Sequence, residues 1–226
     1  YKDGVMLAAD TLASYGSLAM FKDVTRIART GSYTLVGASG ELSDYHALLD
    51  KLKGLAQANA NCDDGFEHGP AEIYSYLRAV LYQRRNKFDP LWNSLVVGGF
   101  KDGAPFLGSV DLRGTAYEDD VIATGYGSHL ALPIMRAKWT PDLDEGEARG
   151  VPRRRDREGP LRSPAVRVRL RVHGVHEGRL VVRVRGLRVE DAEKGPAAAP
   201  VLHESVIVDV VRPVREAPRV RDLHER

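Results

Sequence analysis

The apolar positions fall into blocks of changing period. Gly4 to Asp10 (GVMLAAD) is a continuous apolar run closed by Gly and Asp, the pattern of a strand buried on both faces. Thr11 to Met20 is small and polar with Gly16, and predicts a loop. Tyr33 to Ala38 predicts a second buried strand. After Ser39-Gly40, which suit a helix start, the period lengthens. Leu42, Tyr45, Leu48, Leu49, Leu52 and Leu55 fall on one helical face. Asn59 to Gly69 predicts a polar loop. Pro70 then stands where a first-turn proline belongs, and Ile73, Tyr74, Leu77, Val80 and Leu81 give a second helix. Arg84, Arg85 and Lys87 suit the negative end of its dipole.

Ser94 to Phe100 and Pro105 to Asp111 flank Asp102-Gly103, a strong hairpin turn signal. Gly114 to Glu118 predicts a further short strand. Gly127 to Trp139 predicts a helix in which Pro133 must fall in the first turns. Strands, two helices, strands and a helix make an α+β domain, with two sheet layers between helices as one packing.

Composition divides the chain. All 16 aromatic residues lie before position 150, the last being Trp139. Residues 151–226 hold 17 Arg and 16 Val but no Phe, Tyr, Trp, Met, Asn, Gln or Thr. Their net charge is +7, against −5 for residues 1–150, so the overall +2 hides two unlike parts. A segment without aromatics lacks the side chains that supply much buried area and directional packing. The expected division is therefore a globular domain over 1–149 and an Arg/Val-rich tail over 150–226, disordered or loosely packed. Two origins fit the tail: translation of a GC-rich intron or shifted frame, or a genuine divergent extension. In the second case Val166–Val172 and Arg179–Val189 alternate apolar and basic residues and can form a hairpin around Gly174 and Gly178. An arginine face could bind nucleic acid or acidic proteins, but no aromatic is present to stack on bases and 11 acidic groups dilute its field.

Candidate chemistry is sparse. The single cysteine, Cys62, excludes an internal disulfide framework and points to a reducing compartment. No apolar run approaches membrane-spanning length. Cys62, Asp63, Asp64, Glu67 and His68 share one loop, but their spacing follows no metal template, and a solvated acidic loop explains them. Gly125-Tyr126-Gly127 lacks the third glycine of a phosphate cradle and reads as a tight turn. His46 and His129 read as packing or surface residues. Asp119, Asp120, Asp142, Asp144 and Glu145 read as turn and helix-start charges. No metal, cofactor or small-molecule site is expected.

Several segments together resemble a known family. Gly4 to Asp10 is similar to a strand of proteasome β subunits, which belong to the N-terminal nucleophile hydrolases. Ser14 to Ala19, Gly37 to Gly40, Arg84 to Asn93 (RRNKFDPLWN) and Ala123 to Gly127 (ATGYG) resemble its non-catalytic members, the longest segment being the most specific. The resemblance covers residues 1–149. It implies a four-layer α-β-β-α sandwich, incomplete at both ends, and membership of a barrel of α and β subunits that degrades proteins in cytoplasm and nucleus. Active members use an N-terminal Thr as nucleophile, its own amine helping as base. The chain opens at Tyr1, downstream of the strand expected to carry it. Asp10 falls on the family's aspartate near the nucleophile. Arg26 falls on the lysine that lowers the threonine's pKa. Tyr126 falls on a serine that supports the N-terminal group. Arg for Lys keeps the charge but cannot lose a proton near neutral pH. These substitutions imply a non-catalytic subunit whose partners are neighbouring β and α subunits. An active threonine peptidase and a basic-tailed binding protein on the same fold are the alternatives.

Overall fold

The computed structural model describes residues 1, 4–15, 18–21, 23–150, 170–176, 179–183 and 207–210. Their first strand, β1 (Gly4–Asp10), is buried along nearly its whole length. Val5, Leu7 and Ala9 join one apolar cluster, and Met6 and Ala8 join another. Burial on both faces is why the run shows no polar alternation.

The predicted loop over Thr11 to Met20 is instead a small hairpin of β2 (Ala13–Tyr15) and β3 (Leu18–Phe21), with a register shift at Ala13/Ser14. Tyr15, Met20 and Phe21 are exposed and Ala13 and Ser14 only half-buried, so these positions leave no alternating apolar pattern in the sequence. Then come β4 (Ile27–Thr30) and β5 (Thr34–Gly40), the latter close to the predicted second strand.

Helix α1 (Leu42–Cys62) buries Tyr45, Leu48 and Leu52. Its N-cap is Glu41 rather than Ser39-Gly40; the Glu41 carboxylate accepts from the Ser43 N–H. Gly40 is needed for another reason: it has φ +104°, and a Cβ there would sit 2.1 Å from the Trp92 carbonyl oxygen. The helix runs four residues into the predicted loop, because Asn59 to Cys62 still complete its ladder before Asp63 turns left-handed at φ 48°. Helix α2 (Pro70–Asn86) begins on Pro70 as expected and buries Ile73, Tyr74, Leu77 and Leu81.

Strands β6 (Asn93–Lys101) and β7 (Ala104–Val110) form the predicted hairpin. Asp102 (φ 53°) and Gly103 (φ 76°) are both left-handed, as the two-residue turn requires. After β8 (Ala116–Glu118) and β9 (Val121–Thr124), the predicted helix over 127–139 is two: α3 (Gly127–Leu130) and α4 (Leu132–Lys138). The break at Ala131 places Pro133 in the first turn of α4, where its missing N–H costs nothing. Helix α5 (Glu145–Gly150) opens with a reciprocal cap: Glu147 N donates to Asp144 Oδ1 at 2.7 Å, and Asp144 N to Glu147 Oε2 at 3.3 Å.

Three further strands come from the compositionally distinct tail: β10 (Leu170–His176), β11 (Arg179–Arg183) and β12 (Ile207–Val210). β10 and β11 form an antiparallel hairpin, shifted toward the turn relative to the expected one. The remainder of both expected hairpin segments lies outside the described residues.

Apart from the two-stranded β2-β3 ribbon, the described strands form two five-stranded antiparallel sheets, ordered β11-β10-β1-β12-β9 and β4-β5-β6-β7-β8. Three apolar clusters hold them. Val36, Ala38, Leu95 and Val97 meet Tyr45, Leu48, Leu77 and Leu81 of α1 and α2. Val5, Leu7 and Ile122 meet Leu35, Val96 and Leu107 across the sheets. Met6, Ala8, Val121 and Ala123 meet Met135, Leu143 and Ala148. The class is α+β, built of helices and antiparallel sheets.

Candidate site at the C-terminal edge of strand β1

Beyond Asp10 the chain leaves the sheet through Thr11 and Leu12. Thr11 and Leu12 are buried, and the Thr11 carbonyl accepts from the Val24 N–H at 2.9 Å. That bond closes the base of the β2–β3 hairpin and brings residues 23–26 back beside β1. The Arg26 carbonyl is then fixed by the Ala38 N–H at 3.0 Å. Its side chain turns toward the end of β1. Nη2 donates to the Leu12 carbonyl, and Nε lies 3.8 Å from Asp10 Oδ1. Both side chains are largely buried, at 13% and 16% exposed.

Burial holds the Arg26 guanidinium below its ordinary pKa, and the Asp10 carboxylate pulls it back up. Even so, a guanidinium stays charged at neutral pH. The pair can therefore fix a positive charge at this edge and tie β1 to β4, but Arg26 cannot serve as a proton acceptor.

Tyr126 reaches the same edge by a different route. Ala9 pairs with Ile207 of β12, and Ile207 pairs with Thr124 of β9. Two ladder spacings put the ends of β1 and β9 roughly 10 Å apart, both running the same way. Asp10 follows Ala9 directly, and Tyr126 comes two residues after Thr124. Tyr126 is half-buried and begins α3, its carbonyl accepting from the N–H groups of His129 and Leu130. Gly125, at φ +58°, makes the tight turn into it, which accounts for the glycines there. Asp10, Arg26 and Tyr126 thus share one sheet edge; the first two touch, and Tyr126 stands two strands away.

The residue reading did not single out one polar pair near this edge. Ser39 Oγ lies 3.1 Å from Thr124 Oγ1 in a buried contact and donates to the Ser94 carbonyl oxygen at 3.4 Å in a part-buried one. It links the two sheets beside the ends of β5 and β9. The two hydroxyls are 85 residues apart, so no local pattern announces them.

The remaining candidates are accounted for structurally. Cys62 is exposed. Asp64 Oδ1 accepts from the Phe66 N–H at 2.9 Å, and Glu67 Oε1 from the Ser32 N–H. His68 packs edge-on against Phe66 at 5.2 Å. Among the described residues, no group of three or more His, Cys, Asp or Glu side chains could hold a metal ion. His46 and His129 are exposed, and Asp119 pairs with Arg136 at 2.8 Å. No helix among the described residues is long and apolar enough to cross a membrane.

Residues 1–154 match the family model described as proteasome subunit. The chain belongs to the proteasome subunit family. It is similar to the Arabidopsis thaliana protein named proteasome subunit beta type-4, 50% identical over 143 residues, which are 63% of this chain and 58% of the relative. It is also similar to the Dictyostelium discoideum protein of the same name, 51% identical over 136 residues, or 60% of this chain and 52% of the relative. Proteasome subunit beta type-7 of Saccharomyces cerevisiae is 42% identical over 143 residues, covering 60% and 53%. The chain spans just over half the length of the curated relatives it matches.

Proposed function

We propose that the chain serves as a non-catalytic β subunit of the 20S proteasome core particle. It fills one ring position and packs against neighbouring β and α subunits of the barrel that carries out ubiquitin-dependent protein degradation, in cytoplasm and nucleus. The relatives named beta type-4 support this reading. The proposed architecture is the four-layer α-β-β-α sandwich of N-terminal nucleophile hydrolases, which the three apolar clusters support.

The observation that carries the non-catalytic reading is Arg26 against Asp10 and the Leu12 carbonyl. The resemblance puts at this position a lysine that lowers a threonine's pKa; here a larger guanidinium, not equivalent to an ammonium, is turned onto the Asp10 carboxylate and the Leu12 carbonyl instead. One of its donors holds the Leu12 carbonyl and its charge faces Asp10, which supports a structural place at this edge.

Peptide mass spectrometry on 20S particles purified from the source tests the reading. Peptides from 70–100 and from 151–226 are expected in the particle. Labelling the same particles with an inhibitor that captures N-terminal threonine should leave this chain unmodified. Absence of the 70–100 peptides, or labelling of the chain, would overturn membership or inactivity respectively.

A further inference from the structure

The end of α2 holds a residue unsuited to its backbone. Lys87 closes the helix, and Phe88 behind it is left-handed at φ 54°. The Phe88 N–H donates to the Arg85 carbonyl and the Asp89 N–H to the Arg84 carbonyl, each at 3.1 Å. These are the two bonds of a Schellman cap, whose left-handed residue is usually glycine because a Cβ is strained there. The apolar contact that often completes such a cap is replaced by an ion pair, Arg84 Nη2 to Asp89 Oδ2 at 2.8 Å. Phe88 therefore contributes nothing that glycine would not provide better, and its ring is 97% exposed. Strain with no internal return points outward, to an interaction the chain does not make with itself.

The surroundings define the partner. Trp92, four residues on and so within about 14 Å along the chain, is 65% exposed. Tyr82, on the last turns of α2, is 52% exposed. Exposed Arg85 and Lys87 flank Phe88, while the charge of Asp89 is matched by Arg84. An aromatic anchor beside two cations calls for an apolar pocket rimmed by carboxylates.

Resting on the reading of the chain as a barrel subunit, we infer that Phe88 is a docking anchor. It inserts into an apolar, acid-rimmed pocket on a neighbouring subunit, with Arg85 and Lys87 meeting the rim. The strain stored at the cap is then offset in the assembled particle.

The test uses the full chain in its particle. p-Benzoyl-phenylalanine placed at position 88 should, on irradiation of purified particles, crosslink to a single neighbouring subunit at a peptide carrying both apolar and acidic residues. In competition with the wild-type chain, Phe88→Gly should enter particles about tenfold less or worse. The free full-length variant should nonetheless melt about 2–4 °C higher, because the cap is relaxed. Phe88→Leu should restore entry. A chain that enters particles but gives no crosslink, or a Phe88→Gly variant that competes equally, overturns the docking role and leaves subunit membership standing. Absence of the wild-type chain from particles overturns both.

Discussion

Replacing Arg26 by Met would separate the two things this side chain does. At 3.8 Å and an effective dielectric near 20, the attraction to Asp10 is about 4 kcal/mol before desolvation. Burial opposes it, since desolvation is the larger influence on the guanidinium and holds its pKa down. The intact pair is then worth little in net stability, yet breaking it is costly. Arg26→Met strands the Asp10 carboxylate without this cation and removes the donor to the Leu12 carbonyl. A loss of about 3 kcal/mol is expected. Asp10→Asn alone should cost about 1.5 kcal/mol, leaving the half-desolvated cation without its counter-charge. The double variant should cost about 3 kcal/mol, so that the two sites couple by about 1.5 kcal/mol. Arg26→Lys should fall between, because one ammonium cannot span both acceptors as the guanidinium does. Urea unfolding of the full chain at neutral pH measures all four. Additivity of the single variants to within about 0.5 kcal/mol would refute the claim that the two residues act as a unit.

Three other outcomes are expected. Tyr45 donates from its buried hydroxyl to the Val36 carbonyl at 2.8 Å, and burial, opposed by the Ala28 backbone, drives its phenol well above the usual range. The folded state then keeps the proton that the unfolded state loses above pH 10, so this stability is whole below pH 10 and falls by about 1.4 kcal/mol by pH 11. Tyr45→Phe should cost about 1 kcal/mol at pH 7 and flatten that alkaline fall, as read from urea midpoints between pH 8 and 11. Gly40→Ala should cost about 2 kcal/mol or more, because φ +104° and the Trp92 carbonyl both exclude a Cβ, and Trp92 emission should shift in thermal melts. Val208→Pro should cost on the order of 3 kcal/mol in urea unfolding, since β12 is paired on both sides and its N–H must serve either β1 or β9; no change would mean that the tail strand is dispensable to the sheet.

What the sequence disclosed follows from where each burial pattern comes from. β1, β5 and β6 are sealed on both faces, so they read as unbroken apolar runs, and Asp102-Gly103 announces its turn locally. The β2–β3 ribbon exposes its large apolar side chains Tyr15, Met20 and Phe21, so apolar positions do not mark an inner face there. The stretch 127–139 is legible as helix, but the break at Ala131 shows only as Pro133, which a first turn tolerates and a helix interior does not. Asp10, Arg26 and Tyr126 were reached through the family resemblance alone. Composition and spacing could not find them, because the ion pair closes across a hairpin and Tyr126 is aligned with Asp10 only through strand register.

That register carries a physical consequence for the site. β1 and β9 share no ladder of their own; β12 lies between them and pairs with both. The edge that gathers Asp10, Arg26 and Tyr126 is therefore aligned by Ile207–Val210, four residues from the compositionally foreign part of the chain. The second tie is the Ser39–Thr124 hydroxyl bond, which anchors the end of β9 to the opposite sheet rather than to β1. A slip of β12 by one residue against β9 would move Thr124, and with it Tyr126, by about 3.3 Å along the sheet relative to Asp10. Ile207 and Val208, followed by Asp209 and Val210, hold β-favouring residues at three of the four positions, which suffices for a strand whose backbone bonds on both sides supply most of its specification.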